Sequence, residues 1–150
     1  MESVTNEQVE GVAAMLKAIL FTDNEQRKVQ EAELVKLRTE HPTTIVACLL
    51  SILNLSPDAS SRALAAVLMR QTLSMFDRCN IHAWALLTPE AKAVFKTVIL
   101  EIAAKETEKG VRFRIADAMG EIGSTILKSN EDWTELITYL FKSALADDLV

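Results

Sequence analysis

The sequence predicts an all-α protein, an α-solenoid (superhelix) of antiparallel helix pairs, with about three and a half repeats and seven helices. Three observations lead there. Apolar residues make up 49% of the 150-residue chain, and only four Gly and three Pro punctuate it, which favours long helices over many short strands. An acid four residues before an arginine recurs three times, as Asp23-Asn-Glu-Gln-Arg27, Asp58-Ala-Ser-Ser-Arg62 and Glu108-Lys-Gly-Val-Arg112. Each arginine opens a run with apolar residues at helical offsets: Leu34 and Leu37 after Arg27, Ala65, Met69 and Leu73 after Arg62, and Ile115, Met119 and Ile122 after Arg112. Offsets of three, four and seven lie on one helix face, and helix pairs repeating every 35 to 50 residues or so mark a solenoid.

Each helix has its own justification. The first runs from about Thr5 to Phe21, with Val9, Val12, Leu16, Ile19 and Leu20 as an apolar stripe. Thr5 and Gln8 have the spacing of a capping box. Thr22-Asp23-Asn24 ends this helix and caps the second, about Glu25 to Arg38, which is the most polar. His41-Pro42 breaks the chain, because the residue before proline resists the helical region. The third helix, Thr43 to Leu55, is apolar on nearly all sides and is expected to lie between neighbours. Ser56-Pro57-Asp58 connects it to a fourth, about Ala59 to Met75.

Phe76 to Leu87 is the least regular stretch. Thr88-Pro89-Glu90 then supplies an N-cap, an N1 proline and a first-turn acid in order. The fifth helix continues to about Glu106, with Val94, Phe95, Val98, Ile99 and Ile102 expected inward. The sixth runs from about Lys109 to Leu127, and the seventh from near Trp133 to near Ala146. The approximate repeats are 5–40, 42–76 and 88–128, with a partial one at 133–150. Tyr139, Leu140, Phe141, Leu145 and Leu149 do not make a polar end cap. The reading is therefore of a fragment of a longer solenoid; the rival is a complete small protein that hides this face in a dimer.

Composition narrows the function classes. Aromatic residues are 5% of the chain, so an all-β fold is a poor fit. A formal charge of −5 and a pI near 5.1 do not suit a nucleic-acid binder. The longest apolar runs are broken by Lys17, Ser51 and Arg70, short of the roughly 20 residues needed to span a bilayer. No basic segment precedes the first apolar residues, so no signal peptide is read. Cys48, inside an apolar run, reads as a small buried residue.

No catalytic constellation stands out, and the chain is not read as an enzyme. Cys79-x-x-His82 could begin a metal site, but His41 and Cys48 belong to a different helix pair, and no metal or cofactor is expected. Gly120 and Gly123 sit three apart on a helix and suggest close helix–helix approach. The repeated residues Asp23, Arg27, Asp58, Arg62, Glu108 and Arg112 suggest a structural ladder. Each arginine would pair with an acid of the turn before it or of the next repeat, which sets register more surely than it adds stability.

Longer motifs carry a resemblance. Arg27-Lys28-x-x-Glu31-x-x-Leu34-x-x-Leu37, Pro42, Leu49-Leu50 and Arg62-x-x-Ala65-Ala66-Val67-Leu68-Met69-Arg70 follow one another, then Trp84-x-x-Leu87, Lys92, Phe95-Lys96, Ile99-Leu100, Glu106 and Trp133-x-x-Leu136. In this order they resemble the N-terminal region of the importin-β (karyopherin-β) nuclear transport receptors, with Ala65 to Asp77 closest to the importin 5 subfamily. Gln30 stands where that family usually has alanine, and Thr134 where it has proline.

The resemblance implies HEAT repeats, each with an outer and an inner helix. It implies that the inner helices bind the small GTPase Ran in its GTP form. Import cargo proteins and FG-nucleoporins would bind through the fuller receptor, and the protein would shuttle between cytoplasm and nucleus through the nuclear pore. The candidate Ran-binding residues are Gln26, Lys28 and Lys36 on the first inner helix, Arg70 and Gln71 on the second, and Arg114 and Asp117 on the third. The alternative is a HEAT-repeat protein–protein interaction scaffold with no link to Ran.

Overall fold

The computed structural model describes residues 4–74 and 83–148. Among them the protein is all-helical: α1 (Asn6–Phe21), α2 (Asn24–Glu40), α3 (Pro42–Leu55), α4 (Ala59–Ser74), α5 (Ala83–Leu86), α6 (Pro89–Lys105), α7 (Lys109–Lys128) and α8 (Thr134–Asp148). The described residues thus hold eight helices where the sequence reading expects seven. The addition is the single turn α5, which buries Ala83 and Trp84. A tryptophan that must reach the core holds this turn in place, although four residues are too few for a helical period to register.

Local chemistry sets the helix ends. Thr5 accepts from the N–H of Gln8, and the Gln8 side chain accepts from the N–H of Thr5, which completes the capping box. Asp23 caps α2 through the N–H of Gln26, and Thr88 caps α6 through the N–H of Ala91. Asp58 accepts from both the N–H and the hydroxyl of Ser61 at the start of α4. Replacing such a cap by alanine costs about 1 kcal/mol.

The arginine-led runs face the core. Ala65, Met69 and Leu73 of α4 are fully buried, and Ile115, Met119 and Ile122 of α7 are buried in the same register. Every residue from Ile45 to Leu50 in α3 is buried, as expected of a helix with apolar residues on all sides. Val94 is the exception in α6: it is 38% exposed, while Ala91, Phe95, Ile99 and Ile102 are buried. A helix turns 100° per residue, so adjacent Val94 and Phe95 cannot both point to the centre of one face.

The buried residues form one contiguous core from Val12 to Leu136. Consecutive helices pack in pairs, α1 with α2 and α3 with α4, and alternate helices also touch, α1 with α3, α3 with α6 and α6 with α8. The most extensive contact runs between α4 and α7. An all-helical fold of this connectivity is compatible with a helical repeat.

Candidate functional site

Three polar constellations lie on this scaffold. The first surrounds Arg62. Its Nε donates to Glu106 Oε1 at 2.7 Å, a second nitrogen donates to Glu106 Oε2 at 3.3 Å, and a third bond goes to the Ser56 carbonyl at 2.8 Å. Both side chains are largely buried, at 14% and 7% exposure. Burial opposes charge on Glu106, but hydrogen bonds from Arg62 and from the N–H groups of Glu108 and Thr107 outweigh it, holding the carboxyl below the usual range. Arg62 thus ties the start of α4 to the end of α6, two helix pairs together.

The other arginines of the expected ladder have different surroundings. Asp23 and Asp58 cap their own helices rather than pairing with Arg27 and Arg62. Arg27 keeps a buried Nε with no hydrogen-bond partner among the described residues. Arg112 is exposed, and Glu108 makes no side-chain cap bond. Among the described residues Arg62 alone of the three has an ion-pair partner, and that partner is Glu106, six residues before the next arginine.

The second constellation holds the candidate partner-binding residues. Gln26, Lys28 and Lys36 are exposed along α2, and Arg114 is exposed on α7. Arg70 and Gln71 are half-buried on α4. The fold brings two of these residues together: Arg70 Nε lies 3.4 Å from Asp117 Oδ2 across the α4–α7 seam, too skewed to count as a hydrogen bond. A weak, partly exposed pair of this kind contributes under about 1 kcal/mol.

The third constellation is a clasp that the sequence reading does not anticipate. Glu131 accepts from Trp84 Nε1 at 2.8 Å and from Lys92 Nζ at 2.9 Å, and Lys96 Nζ donates to the Asp132 carbonyl at 2.7 Å. Lys92 and Lys96 also stand 5.5 and 5.9 Å from the Trp84 ring centre, within cation–π reach. Trp84 meets Phe95 edge-on at 5.7 Å. Desolvation raises the Glu131 carboxyl, but the bonds from Lys92 and Trp84 more than offset it and lower its pKa. The signal available in sequence was weak: a tryptophan, two lysines four apart and an acid some forty residues later.

The remaining features look structural. Gly123 sits against α8, where an added Cβ would come 3.0 Å from Leu136 Cδ2, whereas the same atom at Gly120 would meet nothing within 4 Å. Close helix approach therefore accounts for Gly123 and not for Gly120. Cys48 is buried, and burial pushes its thiol up. Cys79 and His82 lie outside the described residues. Among the described residues no three His, Cys, Asp or Glu side chains converge as metal ligands, and no helix is long and apolar enough to cross a membrane. Compared with known protein families, characterised proteins and solved structures, the chain matches none.

Proposed function

We propose that the chain is the Ran-recognising part of an importin-β type nuclear transport receptor, built as an α-solenoid of about three and a half HEAT-type repeats. The observation that carries this reading is the stacking order. Alternate helices α1, α3, α6 and α8 touch in sequence, α4 packs along α7, and Arg62 joins one helix pair to the next through Glu106. Two of the arginine-led helices, α2 and α4, carry motifs that resemble the receptor family, and the others lie mainly on α3, α5, α6 and α8.

In this reading α2, α4 and α7 are the inner helices. Arg70 and Asp117 are engaged with each other, so first contact with Ran falls to the exposed Gln26, Lys28, Lys36 and Arg114. Only a few of them would be hot spots. The receptor would act by binding. Ran in its GTP form and cargo would be coupled unfavourably, so that Ran releases import cargo in the nucleus.

The test is titration of the chain with Ran loaded with a non-hydrolysable GTP analogue and, separately, with GDP. Binding to the GTP form alone is expected, weakened by Lys28→Glu and Lys36→Glu without loss of helicity. Equal binding to both forms, or to neither, would contradict the proposal and favour a scaffold for another partner.

A further inference from the structure

Helix α8 is held differently from the helices before it. From Thr134 to Leu145 only Leu136 is buried, Tyr139 and Ser143 are half-buried, and Ile137, Leu140, Phe141 and Leu145 are more than half exposed. In α3, by contrast, every residue from Ile45 to Leu50 is buried. Helix α8 packs mainly on α6 and meets α7 at Gly123, where Leu136 fits. Beyond that point an open groove of about 540 Å³ separates α7 from α8. The fastening lies at the base of the helix. Trp133 is buried beside Phe95, with ring centres 6.1 Å apart. Just before it, Glu131 accepts from Trp84 Nε1 and Lys92 Nζ, and the Asp132 carbonyl accepts from Lys96 Nζ. All three bonds come from α5 and α6, so they are lost when this turn lifts. A 15-residue helix is marginal by itself in water, so α8 depends on its docking.

We propose that α8 is a hinged strap, which opens from α6 and α7 as one unit while the rest of the fold stays in place, and that the Glu131 clasp is its latch. The hinge is the turn at Ser129 and Asn130, where both residues are exposed. Opening withdraws two buried apolar side chains, Trp133 and Leu136, and breaks the three bonds of the latch. Unfolding α3 or α4 instead breaks up the core that runs through the whole chain. Regions with few buried contacts open first, in cooperative units. An open strap uncovers Ile115 and Met119 of α7, which line the groove. The inference does not depend on the Ran reading.

Native-state hydrogen exchange of the whole chain, compared among variants, tests it. In the parent, the α8 amides should exchange faster than those of α3 and at one shared opening equilibrium. Glu131→Gln removes bonds that break both in strap opening and in full unfolding. Exchange should therefore rise about tenfold on α8 and on α3 alike, as expected for losing a charge-assisted hydrogen bond. Leu50→Ala and Glu106→Gln weaken only contacts that the open state keeps. Exchange should rise on α3 and α4 in both variants and stay unchanged on α8. Exchange on α8 that is as slow as on α3, or that rises with it in Glu106→Gln, would overturn the inference, since α8 would then open only with the whole fold. Exchange on α8 that slows steadily from tip to base would replace the hinged unit by simple fraying. Exchange on α8 unmoved by Glu131→Gln would remove the latch.

Discussion

Helix α7 has two unlike sides. Towards α4 it is closed: Ala65 and Met69 are fully buried against its core-facing residues, and Asp117 reaches Arg70 across the seam. Towards α8 it is open: Phe113 is 66% exposed, and Arg112 and Lys109 face a groove that no acid lines among the described residues. The two sides differ in what meets them rather than in the helix itself. Small residues on α4 let two backbones approach, and acids on α6 and α7 answer the arginines of α4. Beside α8 the two helices meet closely at Gly123 and leave a groove open beyond it, and the cations have no described partner.

The largest expected effects separate the closed region from the open one. Alanine at Leu50, Leu68 or Ile99 should destabilise by about 2–5 kcal/mol, and Leu34→Ala should fall in the same range, since all four are buried. Leu145→Ala, at an exposed site, should lie within about 0.5 kcal/mol of the parent. Urea denaturation of the five variants would break the comparison if the α8 substitution cost as much as the core ones.

Acid should act next, through the two clasped glutamates. An unfolded glutamate titrates near pH 4.3, and both Glu106 and Glu131 are held lower in the fold. The stability they add is complete above about pH 4.3 and is lost as the pH falls through their folded values. Denaturation midpoints should therefore fall in that acid window. Glu106→Gln should be clearly less stable than the parent at pH 7, and the gap should close once the parent glutamate is protonated.

Smaller still is the contrast between two glycines of α7. Gly120→Ala meets open space and should add up to about 1 kcal/mol through helix propensity. Gly123→Ala forces Leu136 to shift and should forfeit that gain. Opposite movements of the two thermal midpoints would sharpen the account, and equal rises would remove close approach as the reason for Gly123. Lys28→Ala and Lys36→Ala, on the exposed side of α2, should leave stability nearly unchanged.

What was legible in the sequence was local. The capping box at Thr5 and Gln8, the cap at Thr88 and the core register of Ala65, Met69 and Leu73 are each set within a few residues. The partner of Arg62 is not local. Glu106 lies 44 residues away, and only the fold, which brings the start of α4 to the end of α6, selects it over the nearer Asp58. Val94 departs from the expected face because apolar character alone does not distinguish the centre of a helix face from its flank. The Glu131 clasp is set by tertiary packing, which turns the ring N–H of the buried Trp84 towards that loop. The candidate Ran-binding residues were legible only as polar groups on chosen helices; that Arg70 and Asp117 meet depends on the α4–α7 seam.

The most direct measurement is hydrogen–deuterium exchange of the chain with Ran loaded with a GTP analogue, compared with the GDP form. The account predicts new protection on α2, α4 and α7 with the GTP form alone and none on α8. Protection confined to α8, or the same pattern with both nucleotides, would contradict it.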